Sequence, residues 1–427
     1  MTATPRSILI INQAWSNHGD EAAHKALVRM LRQRFPAASL TVLAFSDLVT
    51  ERDLEIFRPE EIERLEYVCD ERRPSVGRLG GLSAVSTGFA KWILRNAPAW
   101  RPLRARMRGA DLIVSAPGGI DLGPYRNWLY LALLLLALES GTPTAIYSIS
   151  FGPLPDEGRQ DRAFSRLALE VLRRVDFLSL REPWSQEYAR KLEIPFVEAT
   201  DTAYIDATIA ELPAALRRTL ESPYVVVVPN ELHRWHVWYR SIGAERFHSL
   251  YHALIARALE STDLVVLMPQ LFARQNDSDY CNALRNDFDA ADRDRIVVAP
   301  EDISVEVQKA IIKAAEMVVA ARSHANIFSI HCGTPVLALS YEQKMEAHLI
   351  QAGLTDYMIR LNEIDEVDLS DVSKHFDDVW QQRAELKNEI TRKAAPIRRV
   401  AIKAADEFAR RFGADAASAE AGHSTPS

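Results

Sequence analysis

Short apolar runs that alternate with segments of helical spacing restrict the fold of this chain more than any other feature. The first run, at 7–12, precedes a glycine-containing loop, and apolar residues then recur at helical spacing over 21–35. Further strands are expected at 40–44, 111–115, 144–148 and 176–180, and a buried helix at 128–140. This alternation predicts a parallel sheet with helices on both faces.

The pattern restarts after a polar segment at 207–221, which we expect to be helical. Strands are predicted at 224–228, 264–268, 296–298, 317–320 and 335–340, and helices at 247–259, 305–315 and 324–331. A chain of 427 residues also exceeds the size at which one hydrophobic core stops growing. The predicted fold class is therefore α/β, with two doubly wound, Rossmann-like domains that face a cleft.

The composition suggests where these domains begin and end. We place an N-terminal α/β domain at 1–210 and a C-terminal α/β domain at 211–370. The charged segment 371–412 is predicted to form C-terminal helices, and the small polar residues of 413–427 a disordered tail. An apolar segment between basic residues, at 79–93, is expected to be a plain surface helix. Covering a binding cleft and touching a membrane surface remain alternatives for it.

Charge and cysteine content exclude several classes of protein. A net charge of −7 and a pI near 5.9 oppose general nucleic-acid binding, which needs a basic face. Three cysteines without paired spacing fit a reducing cytoplasm. The N-terminus lacks an export signal, and the longest apolar run, at 128–138, is too short to span a hydrocarbon core of about 30 Å. We therefore expect a cytoplasmic protein that does not cross a membrane.

The most informative motif stands where the predicted strand 317–320 meets the next helix. Arg322 and His324 follow this strand, at a helix N-terminus that favours phosphate or carboxylate. Arginine adds a planar fork of donors, and histidine can hold a proton near neutral pH. Downstream, Lys344 ends a polar loop and is expected on the same rim. The alternative is that Arg322 pairs with a structural carboxylate, that His324 simply starts the helix, and that Lys344 is solvated.

A second motif, Asn17-His-Gly-Asp-Glu-Ala22, lies between the first strand and its helix. Gly19 permits a close approach, and Asp20 or Glu21 can cap the helix. The segment lacks the glycine patterns of dinucleotide and P-loop sites. A carboxylate here can accept a proton from a substrate hydroxyl, so Asp20 is either a general base or a helix cap.

Two more strand ends carry candidate residues. Gly118 and Gly119 follow the strand at 111–115, where they either admit a ligand to the backbone or turn the chain. Arg181 follows the strand at 176–180 and adds a second arginine, which suggests an anionic substrate. The histidines lack the spacing of metal ligands, so we predict no metal.

Taken in order, these segments resemble the polysaccharide pyruvyltransferase family over roughly residues 7 to 360. The matching pieces are Asn17-x-Gly19-Asp20-Glu21-Ala22, Gly118-Gly119, Ser150-Phe151-Gly152-Pro153, Leu180-Arg181 with Ser185, Asp201, Arg322-x-His324, Gly333-x-Pro335, and Ser340-Tyr341 with Lys344. Each piece alone is weak, and the ordered set is fairly specific.

The resemblance implies a fold similar to the GT-B glycosyltransferases. It also implies transfer of the enolpyruvyl moiety of phosphoenolpyruvate to a sugar of a surface polysaccharide or lipid-linked precursor, with release of phosphate and closure of a pyruvate ketal. His324 would be the general acid, while Arg322 and Arg181 would hold the phosphate and carboxylate of the donor.

The second domain would hold this donor and the first the acceptor, and no cofactor is expected. The full set of candidate substrate-binding residues is Arg322, Arg181, Lys344, Ser323, Asn17, Gly19, Gly118 and Gly119. Peripheral contact with a membrane and formation of homo-oligomers are both possible on the sequence. The rival readings are a nucleotide-sugar-dependent GT-B glycosyltransferase and a non-catalytic sugar-binding or scaffold protein.

Overall fold

A computed structural model describes residues 4–13, 17–45, 64–68, 73–236, 239, 243–271, 276–361 and 368–413. The described residues form two compact units. The first unit takes in 1–15, 22–206 and 399–427, and the second takes in 16–21 and 207–398. The division falls at residue 206, and the segment 16–21 groups with the second unit, whereas sequence order alone kept it in the first.

The first unit is built on a seven-stranded parallel sheet in the order β3-β2-β1-β4-β5-β6-β7. Its strands are β1 Ser7–Ile11, β2 Ser39–Phe45, β3 Arg64–Val68, β4 Leu112–Ser115, β5 Thr144–Ile149, β6 Phe177–Leu180 and β7 Val197–Glu198. Its helices are α1 His18–Arg34, α2 Arg73–Val85, α3 Thr87–Asn96, α4 Arg101–Arg108, α5 Trp128–Ser140, α6 Arg159–Arg174 and α7 Pro183–Lys191.

Alternate residues of the strands in this unit enter two hydrophobic clusters, because successive side chains point to opposite faces of a sheet. Leu9 belongs to a cluster with the leucine-rich helix α5, whereas Ile10 belongs to one with α1. Phe408, near the end of the last helix, completes the second cluster through edge contacts to the rings of Tyr147 and Phe177. Both faces of the sheet are therefore covered.

The second unit repeats the architecture with a six-stranded parallel sheet in the order β10-β9-β8-β11-β12-β13. Its strands are β8 Tyr224–Val228, β9 Leu264–Leu267, β10 Ile296–Val298, β11 Met317–Ala320, β12 Val336–Ser340 and β13 Met358–Arg360. Its helices are α8 Ala214–Thr219, α9 Leu232–Trp235, α10 Ala244–Ser261, α11 Ser278–Asn286, α12 Ala290–Arg293, α13 Val305–Ala314, α14 Ser323–Cys332 and α15 Gln343–Ala352, and α16 Leu369–Arg411 ends in the first unit.

The predicted fold class is confirmed, because both sheets are parallel, doubly wound and covered by helices. In each unit the strand order reverses beside the first strand, between β1 and β4 and between β8 and β11. Ligands of open α/β sheets bind at such reversals, beyond the carboxyl ends of the strands. No helix among the described residues is long and apolar enough to cross a membrane.

Some predicted elements differ from those observed. The polar helix predicted at 207–221 is wrong for its first half, since α8 begins only after Pro213, and a residue before proline is disfavoured in helical conformation. The predicted C-terminal helices form the single helix α16, which continues through Pro396. Of the predicted tail, 414–427 lies outside the described residues.

Candidate functional site

The N-terminus of α14 stands at the strand reversal of the second unit. Arg322 is the N-cap residue, with extended backbone angles of φ −121° and ψ 132°, and Ser323 begins the helix. The first N–H groups of a helix have no partner within it and carry partial positive charge. At the end of the neighbouring strand β8, the Asn230 side chain donates to the carbonyl of Ala321 at 3.1 Å. Both strand ends therefore meet at a point suited to an anion.

Arg322 is held by a carboxylate from the loop after β9. Its Nη2 atom donates to Oδ1 of Asp277 at 2.5 Å, and both side chains are largely buried. The second oxygen of Asp277 accepts the backbone N–H groups of Gln270 and Leu271, at 3.0 and 2.9 Å. The interpretation that Arg322 pairs with a carboxylate is thus confirmed. A guanidinium has five N–H donors, so this pairing orients the group and does not use all of it.

Gly19 and His324 are in direct contact within the second unit. A Cβ atom placed on Gly19 would come to 1.9 Å from Nδ1 of His324 and to 2.4 Å from its Cγ. Only glycine leaves room for the imidazole at this distance. The close approach predicted for Gly19 is therefore observed, and what approaches is the candidate catalytic histidine. The structure thus joins the segment 17–21 to the N-terminus of α14.

The cap of α1 corrects one sequence expectation. Helix α1 begins at His18, three residues before the predicted start, and the Asn17 side chain accepts the backbone N–H of Asp20 at 2.8 Å. Asn17 also donates to Oδ2 of Asp20 at 2.7 Å. Asn17, and not Asp20 or Glu21, is therefore the capping residue. Asp20 is half-buried, one residue along the chain from the contact of Gly19 with His324.

Glu21 anchors the same segment. Its carboxylate pairs with Nδ1 of His18 at 2.7 Å and accepts the backbone N–H of Val305, the first residue of α13, at 3.0 Å. The other ring nitrogen of His18 lies 3.2 Å from the carbonyl of Glu301. These buried bonds fix the segment 17–21 on α13 and the loop before it.

Lys344 lies in the first turn of α15, whereas the sequence predicted a loop. Its ammonium group is 2.8 Å from Oε2 of Glu342, the N-cap residue, whose other oxygen accepts from Nε2 of His236 at 3.0 Å. Burial opposes ionisation of Glu342, but Lys344 and His236 together lower its pKa to about 2. The interpretation of Lys344 as a merely solvated side chain is wrong, because it belongs to a buried ionic cluster.

The aromatic segment 233–239 lies partly outside the described residues. Of the described part, His236 binds Glu342, and the Tyr239 hydroxyl donates to the carbonyl of Tyr341 at 2.7 Å. These two bonds attach the segment to the start of α15.

Arg181 belongs to the first unit and also pairs with an aspartate. Its Nη1 atom donates to Oδ2 of Asp201 at 2.7 Å, and its Nε donates to the Ser150 hydroxyl at 2.8 Å. The neighbouring Glu182 is buried, and its Oε2 atom lies 3.6 Å from Nε of Arg181. Burial raises the pKa of Glu182, although Arg181 and two serine hydroxyls oppose the rise. Arg181 and its two carboxylate partners, Asp201 and Glu182, are therefore all buried.

Gly118 and Gly119 stand at the strand reversal of the first unit. Gly118 forms a bridge with Ile149, and a Cβ atom on either glycine would meet nothing closer than ordinary van der Waals contact. Packing within the described protein therefore does not require glycine at either position. Beside them the Asn12 side chain donates to the Ser115 hydroxyl at 3.1 Å. This strand reversal presents amide and hydroxyl groups and small residues.

The structure thus brings together Asn17, Gly19, Asp20, Arg322, Ser323 and His324 in the second unit, and it places Arg181, Gly118 and Gly119 in the first. Sequence reasoning missed Asp277 and Glu342, the carboxylates that hold Arg322 and Lys344. Glu342 stands two residues after a strand, a position that was available as a signal. Asp277 gave no such signal, because its partner Arg322 is distant in the sequence.

The sequence model of the polysaccharide pyruvyl transferase family matches residues 17–343. This range begins at Asn17 and includes the contact of Gly19 with His324. The chain belongs to the polysaccharide pyruvyl transferase family. It is therefore a transferase, and the family implies a sugar or polysaccharide acceptor. Sequence comparison with curated proteins gives no significant match.

Solved structures similar to this pyruvyl transferase family member share its fold at low sequence identity. A putative UDP-N-acetylglucosamine 2-epimerase from Listeria monocytogenes has a TM-score of 0.59 at 11% identity, over 94% of each chain. UGT71G1 of Medicago truncatula, complexed with UDP-glucose, has a TM-score of 0.58 at 10% identity, over 95% of this chain and 98% of its own. Trehalose 6-phosphate synthase from Burkholderia multivorans has a TM-score of 0.55 at 13% identity, over 99% of each chain. The fold is similar to that of the GT-B glycosyltransferases.

Proposed function

We propose that this protein transfers the enolpyruvyl moiety of phosphoenolpyruvate to a sugar of a surface polysaccharide or its lipid-linked precursor. Two hydroxyl groups of the sugar are joined as a pyruvate ketal, and phosphate is released. The proposal rests on membership of the family and on one observation in particular. The His324 ring packs on Gly19 at the N-terminus of a helix that begins beside Arg322.

That observation supports a donor site in the second unit. Phosphoenolpyruvate carries a phosphate and a carboxylate, and the N-terminal N–H groups of α14 with the Arg322 guanidinium are suited to either anion. Asp277 fixes the guanidinium, so little side-chain entropy is lost when the donor binds. Ser323 adds a hydroxyl in the same turn, and Lys344 adds a cation one strand farther along the sheet. Arg181 remains a candidate for donor binding because the family resemblance implies that role.

The His324 imidazole supplies the proton in this scheme. Protonation of C3 of phosphoenolpyruvate makes C2 cationic, and a sugar hydroxyl then bonds to C2. Loss of phosphate restores a cation at C2, and the second hydroxyl closes the ketal. Histidine suits the first step because its ordinary pKa, about 6.5, keeps a protonated fraction near neutral pH. The contact with Gly19 limits the movement of the ring on one side, and a general acid benefits from a fixed orientation.

Asp20 is the base that we assign to the attacking hydroxyl. It stands beside Gly19 and is held by Asn17 through two hydrogen bonds, one to its backbone and one to its carboxylate. An Asp20→Asn variant keeps the size of the side chain and removes its basicity. We expect its kcat to fall while donor binding is retained, and an unchanged kcat would remove Asp20 from the scheme.

The two described cysteines, Cys281 and Cys332, are free thiols. Free thiols are typical of the reducing cytoplasm, which supports a cytoplasmic location for the reaction.

The direct test is conversion of a panel of sugars and lipid-linked sugars with phosphoenolpyruvate. Phosphate release is measured, and the product is examined by NMR for the methyl group of a pyruvate ketal. We expect phosphate and ketal in equal amounts from an accepted sugar. Sugar transfer from a nucleotide sugar, without any reaction of phosphoenolpyruvate, would instead establish the glycosyltransferase alternative.

A further inference from the structure

The segment from Arg72 to Arg108 has a charge unlike that of the whole chain. It contains nine basic residues and no acidic residue, although the net charge of the protein is −7. The described part of this segment forms the helices α2, α3 and α4 of the first unit. These helices pack against one another and against α5 and α6. Basic side chains are therefore concentrated in one layer on the outside of the unit.

Helix α3 has an apolar face on each side. Ala90 and Leu94 are buried on the inner side, as expected for a helix that covers a core. On the outer side Phe89 and Trp92 are 48% and 56% exposed, and their rings stack at 5.7 Å with an angle of 7°. Val85, just before the helix, is 87% exposed. Three of the six exposed large apolar residues among the described residues thus fall within one short segment.

Exposed arginines are found on α2 and α4, the two helices that contact α3. Arg78, Arg101 and Arg108 are exposed, and no acidic group in the described part of the chain forms an ion pair with them. Arg104 ties α4 to the C-terminal end of α3, because it donates to the carbonyl of Leu94 at 2.7 Å. Burial lowers the pKa of Arg104, and the nearby positive charges of Arg108 and Arg101 lower it further. The end of α3 therefore lies in a positive field.

The two basic residues of α3 itself are each paired with a carboxylate. Lys91 pairs with Glu170 at 2.9 Å, and Arg95 pairs with Glu139. Both carboxylates come from the inner helices, so these pairs attach α3 to α5 and α6. The positive charge that is not paired in the described residues is thus carried by α2 and α4, the helices that precede and follow α3 along the chain.

We propose that the surface formed by Val85, Phe89 and Trp92 together with Arg78, Arg101 and Arg108 docks on a lipid bilayer that contains anionic headgroups. Exposed aromatic rings beside arginines match the interface of such a bilayer, where the rings insert at headgroup level and the arginines approach the phosphates. A second copy of this chain is disfavoured, since two such surfaces would bring like charges together. The proposal does not depend on the reaction assigned above.

Sedimentation with vesicles tests the proposal. The full chain is mixed with vesicles of phosphatidylcholine, with or without phosphatidylglycerol, and the bound fraction is measured. We expect binding only to the anionic vesicles, and we expect it to fall at about 1 M salt, where charges are screened within about 3 Å. Equal binding to both vesicles, or none to either, would overturn the proposal on the wild-type chain alone.

Two variants separate the apolar and the charged contributions. Phe89→Ser with Trp92→Ser removes the rings, and Arg78→Glu with Arg101→Glu reverses two charges. We expect each to lower vesicle binding about tenfold or more. The matched controls are Ile350→Ser, an apolar residue 58% exposed on α15, and Arg217→Glu with Arg218→Glu on the exposed α8. Both controls should bind vesicles as the wild type does.

Thermal unfolding of every variant shows whether the fold is kept. A loss of binding that the controls share would mean that the surface is not specific, and it would contradict the proposal. Light scattering without lipid tests the second-copy alternative. If the wild type is a dimer that Phe89→Ser with Trp92→Ser dissociates, and if it does not bind vesicles, the surface serves self-association. That result would overturn the proposal that it docks on a bilayer.

Discussion

The two units have the same core strand order but place different residues at the point where that order reverses. In the first unit this point carries Gly118, Gly119 and the hydrogen-bonded pair of Asn12 and Ser115. In the second unit the corresponding point carries Arg322 and, as the second residue of α14, His324. One reversal therefore offers small and neutral groups, and the other offers a guanidinium and an imidazole at a helix N-terminus. The shared fold fixes the place of a site, and a few residues decide its chemistry.

The two arginines sharpen this contrast, because each follows a parallel strand and each pairs with an aspartate. Asp277 also accepts two backbone N–H groups beside Arg322. In the described part of the first unit, Asp201 accepts the backbone N–H of Ala203, and Arg181 additionally faces the buried Glu182. Arg181 is therefore paired with two buried carboxylates. Arg181 contributes to stability whether or not it binds the donor.

The largest effect that we expect is on turnover in His324→Gln. Glutamine keeps the polarity of the side chain and cannot donate a proton as an acid, so kcat should fall by about 10²–10⁴-fold. His375→Gln, on the exposed side of α16, is the matched control and should leave kcat unchanged. Steady-state assays with an accepted sugar measure both. A His324→Gln variant with wild-type kcat would contradict the assignment of the acid.

The next effect separates the two arginines by stability. Arg181→Ala leaves Asp201 and Glu182 buried without their main partner, and breaking a buried pair costs about 3–5 kcal/mol. Arg322→Ala should cost less, because Asp277 keeps its two backbone donors. Chemical denaturation gives both free energies of unfolding. Equal losses would remove the contrast between the two pairs.

A pH dependence should appear in the second unit. The pKa of Glu342 falls from 4.5 to about 2 on folding, so the cluster stabilises the protein above pH 4.5 and loses that contribution as pH falls towards 2. The shift corresponds to about 3 kcal/mol. Denaturation at several pH values should show this loss in the wild type, and Glu342→Gln should reduce it. An identical acid profile in the variant would show that Glu342 is not the group that titrates.

A smaller effect is expected from Gly19→Ala. The added methyl group must displace the His324 ring, while Arg322 and its partner stay in place. We therefore expect kcat to fall by about 10²-fold with donor affinity nearly unchanged, because misplacing a catalytic group costs about that much. Gly243→Ala is the control, since nothing lies within 4 Å of its added Cβ atom. Parallel losses of kcat and affinity would show instead that the whole site is disrupted.

Much of this fold could be predicted from the sequence, because buried parallel strands are short apolar runs and their order along the chain is regular. The least apolar elements were missed, such as the two-residue β7 and the edge strand β13, since neither has a continuous pattern. The candidate residues at strand ends were also visible. Their partners were not, because Asp277 and Arg322 are brought together only by the sheet.

The contact of Gly19 with His324 shows the same limit more clearly. Both residues were selected from the sequence, but at opposite ends of the matched region, and sequence order assigned them to different domains. The structure groups 16–21 with the second unit through hydrogen bonds such as that from Val305 to Glu21. A segment of six residues is too short to show by pattern alone which core it joins.

Thermal unfolding with phosphoenolpyruvate tests the central claim most directly, that the second unit holds an anion site at Arg322. The wild type and Arg322→Ala are compared, with Arg217→Ala on the exposed α8 as control and UDP as the second ligand. At about 100 times Kd, phosphoenolpyruvate should raise the Tm of wild type and control by about 5 °C and leave Arg322→Ala unchanged. An equal rise in Arg322→Ala, or a rise only with UDP, would contradict the account.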